Sequence, residues 1–284
     1  MQIARTISDI RQYVAQARAA GKTVGFVPTM GALHAGHASL IDAAAKRCGY
    51  VVVSIFVNPT QFGPGEDLEK YPRPFDKDAK LCEQHGGHAI FAPSVDEMYP
   101  RKNLTWVTVD KLTEPLCGQS RPGHFRGVTT VCTKLFNIVG PDVAFFGQKD
   151  AQQATVIRRM VADLNAPLEI VICPTVREPD GLAMSSRNQY LSPKERQEAP
   201  VIHRSLQRCA ELIAKGERDA TKIADEMQKV LRQVPALRTE YVSIVDAESL
   251  EPCDPIRGRV LVAYAGRLGT TRLIDNIMVD TTAK

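Results

Sequence analysis

Two histidines three residues apart, His34 and His37, close the stretch Pro28-Thr-Met-Gly-Ala-Leu-His-Ala-Gly-His37. The apolar run Val24 to Val27 before it reads as a buried strand. Ser39 to Cys48 after it carries Leu40, Ile41, Ala44, Ala45 and Cys48 at helical spacing. A strand-to-helix turn of this kind sets free backbone N–H groups and the positive end of a helix dipole at the carboxyl edge of a sheet, where phosphate oxygens bind. Gly31 and Gly36 keep side-chain bulk away from such a ligand. Imidazoles at i and i+3 share one helix face and present two donors to one spot. The pair also fits two structural histidines, or zinc ligands. The metalloprotease zinc pattern, however, places its histidines four apart with Glu between them, and neither feature is present.

Other polar groups fall at comparable places. Gly147-Gln-Lys-Asp150 follows the apolar Pro141 to Phe146 and opens a helix from Ala151 to Leu164, a second strand-to-helix turn with a cation on it. Lys149 suits a triphosphate. Asp150 accepts from ribose hydroxyls or caps the helix. Gln153 lies on the first helical turn. Asn58 and Gln61 are neutral polar groups on the Gly- and Pro-rich stretch Asn58 to Leu68, where each also serves as a turn residue. His124 and Arg126 lie on the basic loop Arg121 to Gly127, which either holds an anion or is a solvated connection. Leu182-Ala-Met-Ser-Ser-Arg-Asn188 puts two hydroxyls and a guanidinium on one turn.

The remaining pattern supplies the elements that must position these groups. Ser8 to Ala20 is expected to be helical, with Ser8 as N-cap and Gly21 as stop. Tyr50 to Val57 is a nearly continuous β-branched run, the mark of a parallel strand covered on both faces. Strand, helix, strand without a hairpin signal implies a βαβ unit. Pro74 to Gly86 reads as a helix with Leu81 and the stem of Lys77 facing in, His88 to Ala92 as a strand, Pro93 to Pro100 as a loop and Thr105 to Val109 as a short strand. Val128, Cys132, Leu135, Phe136 and Val139 form a helical stripe. Leu168 to Cys173 closes this half as a strand. From Ser192-Pro193 the pattern changes to one long helix, Lys194 to Lys215, and a second from Asp219 to Val234. Strands follow at Arg238 to Val245, Arg259 to Tyr264 and Thr271 to Val279. The expected fold is α/β: a Rossmann-like parallel sheet with helices on both faces in residues 1–176, and a smaller α+β domain in 177–284.

Composition narrows the function classes. Over 284 residues, 44% hydrophobic and 24% charged are ordinary for a globular chain. The 36 basic and 32 acidic residues are interspersed and leave +4, which argues against a nucleic-acid partner and leaves room for an anionic small substrate. Seven scattered cysteines without a Cys-x-x-Cys pair fit reduced thiols rather than disulfides or a zinc site. No signal core opens the chain, and no apolar run approaches the ~20 residues a membrane span needs, so the expected location is cytoplasmic.

Strand, glycine turn, paired histidines and helix together resemble the His-x-Gly-His signature of the nucleotidyl-transferase superfamily, in which the histidines bind ATP phosphates. Five segments in order resemble the pantothenate synthetase (pantoate–β-alanine ligase) family: Pro-Thr-Met-Gly-Ala-Leu-His-Ala-Gly-His, Ser-Ile-Phe-Val-Asn-Pro-Thr-Gln-Phe, Arg-Pro-Gly-His-Phe-Arg-Gly-Val, Phe-Phe-Gly-Gln-Lys-Asp and Leu-Ala-Met-Ser-Ser-Arg-Asn. The resemblance implies condensation of (R)-pantoate with β-alanine, converting ATP to AMP and pyrophosphate through a pantoyl-adenylate, with Mg²⁺ on the ATP phosphates and a homodimer. It implies that Met30, Gly31, Ala32, Leu33, His34, Ala35, Gly36 and His37 line the ATP site, with His37 as proton donor. Gly147, Gln148, Lys149, Asp150, Val176, Met184, Ser185, Ser186 and Arg187 complete that site. Gln61 holds pantoate and β-alanine, and Gln153 holds pantoate. By the same resemblance, His34, His37 and Lys149 are expected to act in catalysis. Gln148, Ala151 and Ala38 depart from residues usual in the family. Two rivals stand beside this reading: an adenylyltransferase that shares the histidines and moves AMP to a phosphate acceptor, and a nucleotide-binding regulatory or RNA-binding module derived from a synthetase, which binds ATP without turnover.

Overall fold

A computed structural model describes residues 1–282. The chain divides into two units. The first comprises Met1–Thr113, Arg121–Gly147 and Val156–Pro174; the second comprises Glu114–Ser120, Gln148–Thr155 and the chain from Thr175 onward.

The first unit is built on one sheet of β1 (Gln2–Ala4), β2 (Val24–Thr29), β3 (Tyr50–Ile55), β4 (Ala89–Phe91), β5 (Val143–Gly147) and β6 (Glu169–Cys173). Its order is β1-β4-β3-β2-β5-β6, and every neighbouring pair is parallel. The helices of the first half are α1 (Ile7–Ala19), α2 (Ala35–Arg47), α3 (Phe75–Gln84) and α4 (Val95–Met98). They are followed by α5 (Cys117–Ser120), α6 (His124–Val139) and α7 (Ala151–Asp163). Side chains alternate along a strand, so each strand feeds two cores. Phe26, Val52, Phe91 and Ala144 pack with Ile10 and Val14 of α1, Val131 and Leu135 of α6, and Ile157 and Met160 of α7. Val27, Val51, Val53, Ile90 and Phe145 pack on the opposite face with Leu40 and Ile41 of α2 and Cys82 of α3. This is the doubly covered α/β sheet expected from the apolar runs.

Strand order fixes where a ligand can sit. The chain leaves β2 for β3 and β4 on one side, then returns to β5 on the other. The carboxyl end of β2 is therefore a topological switch point, where the flanking connections part and leave a crevice. Met30 to His34 occupies that end.

Several local expectations are corrected. Helix α1 is capped by Thr6, whose hydroxyl accepts from Asp9 N, rather than by Ser8. Helix α2 starts at Ala35, four residues earlier than its apolar stripe suggests, because His34 caps it. Residues 93–100 contain the short helix α4, capped by Ser94. On α3, Lys77 is exposed and its neighbour Asp78 is the buried residue. Thr105 to Val109 joins no strand: the helix side chains Thr130 and Thr129 take the Val107 N–H and C=O at 3.0 and 2.6 Å, in place of a strand partner.

The second unit carries α8 (Pro193–Glu198), α9 (Val201–Ala214), α10 (Ala220–Leu231) and an antiparallel sheet of β7 (Leu237–Asp246), β8 (Arg259–Leu268) and β9 (Thr271–Asp280). Leu206, Cys209, Ile213, Ile223 and Met227 bury against Val260 and Val262. The single long helix expected from Lys194 is two helices, because Pro200 has no N–H to continue α8 and instead starts α9. Among the described residues no helix is long and apolar enough to cross a membrane.

Candidate active site

The turn after β2 is held by hydrogen bonds to its backbone. Thr29 donates to Ser54 O of β3 at 2.6 Å, and its hydroxyl accepts from Gly31 N at 3.1 Å. Gly31 then adopts φ +84, and Ala32 adopts φ +51, a left-handed conformation unusual for a residue with a Cβ. The two N–H groups that follow point to one carboxylate: Asp78 Oδ2 accepts from Ala32 N and Oδ1 from Leu33 N, both at 2.8 Å. Asp78 is 1% exposed. Burial pushes its carboxyl up, and the two backbone bonds offset only part of that rise.

The turn delivers the histidines in a defined chemical form. His34 is the N-cap of α2; its Nδ1 accepts from Gly36 N at 3.1 Å. His37, at the third helical position, turns its Nδ1 back to accept from His34 N at 3.3 Å. This reciprocal arrangement is a capping box made from two imidazoles. A ring nitrogen that accepts carries no hydrogen, so in the neutral form each Nε2 bears the N–H. The rings lie 4.2 Å apart between centroids. Both donors are thus set by the backbone at the start of a helix, where the dipole also favours an anion.

Gln61 belongs to the same unit. Its Nε2 reaches Met30 Sδ at 3.1 Å and its Oε1 accepts from Asn58 Nδ2 at 3.0 Å. Asn58 also donates to Gly127 O at 3.2 Å and accepts from Tyr99 OH at 2.9 Å. Gly127 is required here, since a Cβ would overlap the Thr60 carbonyl. The carbonyl of Gln61 accepts from His124 Nδ1 at 2.8 Å and from Arg121 Nη2 at 3.4 Å. Arg121 also grips Glu66 through two bonds of 2.7 and 2.6 Å. Thus Arg121 and His124 tie down the loop that carries Gln61; the expected basic loop Arg121 to Gly127 is corrected, because α6 already starts at His124 after its N-cap Gly123.

Burial alone would raise the Glu66 carboxyl; the Arg121 hydrogen bonds and charge outweigh it, and the carboxyl lies below its usual 4.5. A depressed carboxyl stabilises the fold above its unfolded value and loses that contribution as pH falls through the folded one. The melting temperature of Glu66→Gln should therefore lie below the parent's at neutral pH, with the gap closing on acidification below 4.5. A gap unchanged with pH would show that the ion pair contributes nothing.

In the second unit, Gln148–Asp150 forms a 3₁₀ turn that runs into α7. Lys149 Nζ lies 3.8 Å from Asp150 Oδ2, and Gln153 is half-buried on the next turn. Val176 and Met184 meet across a hairpin, with Met184 N donating to Val176 O at 3.0 Å and Arg177 bridging Ala183. Ser185 then caps the 3₁₀ turn Ser186–Tyr190, its Oγ accepting from Arg187 N. Gly147 ends β5 in the first unit.

Residues 2–278 match the family model described as pantoate-beta-alanine ligase. The chain belongs to this family. A pantothenate synthetase from Pelotomaculum thermopropionicum is 56% identical over 279 residues, spanning 98% of this chain and 99% of the relative. One from Moorella thermoacetica is 55% identical, spanning 99% of each. The crystal structure of the pantothenate synthetase from Thermus thermophilus superposes with a TM-score of 0.93 at 45% identity, covering 98% and 99% of the two chains. That of a pantoate-beta-alanine ligase from Francisella tularensis, complexed with beta-gamma ATP and beta-alanine, gives 0.78 at 32%, covering 100% and 99%.

For a pantoate–β-alanine ligase, several positioning residues escape the sequence motifs. Asp78 is the clearest. Phe75, Asp78 and Cys82 recur at three- and four-residue spacing, so a carboxylate interrupts the inward stripe of α3. A charge on an apolar face is the informative exception in such a pattern. Gln152, beside Gln153, is also buried: its amide accepts from Cys117 N and donates to Pro115 O within the second unit.

Proposed function

We infer that this chain condenses (R)-pantoate with β-alanine at the expense of ATP, giving (R)-pantothenate, AMP and pyrophosphate through a pantoyl-adenylate. The observation that carries this reading is the family match over residues 2–278. The Francisella tularensis relative with beta-gamma ATP and beta-alanine supports both substrates.

In the first step a pantoate carboxylate oxygen bonds to the α-phosphorus while the bond to pyrophosphate breaks. Negative charge grows on the phosphoryl oxygens, so catalysis is mainly positioning and charge stabilisation. The Nε2–H groups of His34 and His37 supply two fixed donors, with His37 as proton donor, and Lys149, Ser185, Ser186 and Arg187 add cationic and hydroxyl donors. Met30 to Leu33, Ala35 and Gly36, with Gly147, Gln148, Asp150, Val176 and Met184, complete the proposed nucleotide contacts. Gln61 and Gln153 suit pantoate because an amide offers both donor and acceptor without a charge. In the second step the neutral amine of β-alanine, held by Gln61, bonds to the acyl carbon as the bond to AMP breaks, and the amine proton passes to solvent.

Mg²⁺ enters with the substrate as MgATP. Such an ion keeps several waters and is held chiefly by phosphates. Among the described residues no group of three or more His, Cys, Asp or Glu gathers for a protein-built cage. We further propose a cytoplasmic homodimer. Light scattering at the 31.2 kDa monomer mass would refute the dimer.

The deciding experiment is exchange of labelled pyrophosphate into ATP with pantoate and Mg²⁺ present and β-alanine absent. Pantoate-dependent exchange is expected. No exchange and no pantothenate on adding β-alanine would overturn the reading.

A further inference from the structure

Consecutive residues on β9 hold two separate segments of the second unit. Asn276, 4% exposed, donates both hydrogens of its side-chain amide, to Gln148 O at 3.0 Å and to Lys149 O at 2.9 Å. Asp275, 3% exposed, accepts from Arg177 Nη1 at 2.6 Å and Nη2 at 3.0 Å, and from Asn276 N at 2.7 Å. Arg177 also donates to Gly181 O at 3.1 Å and Asn276 O at 3.4 Å, and its backbone bridges Ala183. Successive side chains of a strand leave on opposite faces, so one register of β9 reaches both segments.

The chemistry of each side chain fits its place. Two neighbouring carbonyls need two hydrogens converging from one atom, and among side chains of this size only an amide nitrogen provides them. The planar guanidinium meets the carboxylate through two parallel bonds, which fixes orientation as well as distance. Neither residue lies on a recognised motif.

We propose that Asn276 and Asp275 are positioning residues for the nucleotide. Asn276 orients the peptide planes that carry Lys149 and Asp150. Asp275, through Arg177, sets the hairpin from which Met184 to Arg187 extends. The inference rests on the reading of both segments as nucleotide-binding.

The test compares KM for ATP with KM for β-alanine in Asn276→Ala and Asn276→Asp, with Lys149→Ala as the reference for the nucleotide reading. Losing two hydrogen bonds to Gln148 and Lys149 should raise KM for ATP about tenfold or more. KM for β-alanine should stay within about twofold of the parent. Asn276→Asp should be worse than Asn276→Ala, because it sets a carboxylate against two carbonyl oxygens. A folded Asn276→Ala with unchanged KM for ATP, or with equal rises for both substrates, would overturn the proposal. If Lys149→Ala also leaves ATP use unchanged, the nucleotide reading has failed; if Lys149→Ala alone weakens it, only the positioning role has. Should the Asn276 variants not fold, Arg177→Lys keeps the charge and loses the fork. It should raise KM for ATP alone by about threefold, and no change there would overturn the proposal.

Discussion

Replacing His37 with alanine is expected to slow adenylate formation by about 10²–10³-fold, the usual cost of one fixed donor to a developing oxyanion. The geometry explains why the donor is fixed. His37 Nδ1 is engaged by the His34 N–H at 3.3 Å, which leaves the hydrogen on Nε2 in the neutral ring. Alanine also removes half of the capping box, which costs on the order of 0.5–2 kcal/mol of stability, so a second variant is needed to separate the effects. Glutamine at the third helical position can keep the cap. His37→Gln should therefore melt near the parent temperature while its pyrophosphate exchange still falls well below the parent rate. Parent-like exchange in folded His37→Ala would remove His37 from the chemistry.

The second large effect is expected at Asp78, which has no assigned contact with substrate. Asp78→Ala leaves the Ala32 and Leu33 N–H groups without their acceptor in a buried turn. Each unsatisfied donor costs roughly 1–3 kcal/mol, so denaturant unfolding should show a loss on the order of 2–6 kcal/mol. Ala32 also stands at φ +51, which the carboxylate helps to hold. KM for ATP should rise with the loss of stability, because Met30 to His37 no longer has one conformation. Unfolding at the parent's denaturant concentration would show that the carboxylate does not secure the turn.

What the sequence made legible was local. The β-branched run at Tyr50 and the apolar run before Pro28 report continuous burial, the stripe on α6 reports periodic burial, and each became the expected element. The histidine turn was legible because strand, glycine and helix adjoin it in the chain. Failures occurred where the deciding group lies far away or breaks a pattern once. Thr105 to Val109 is rich in β-branched residues like a strand, yet its partner is a pair of threonine hydroxyls on α6. Pro200 splits a helical stripe that is otherwise continuous on both sides. Asp78 meets its partners across 45 and 46 residues, and Asn276 across 127 and 128, separations at which no spacing rule operates.

The Asn276 bonds also order events in time. A ribosome adds about 5–20 residues per second. Lys149 is therefore made on the order of ten seconds before the amide that fixes its carbonyl, 127 residues downstream. Throughout that interval the nascent polypeptide has its lysine but not the strand that aims it. A product truncated before β9 would carry Lys149 without the amide that holds its carbonyl.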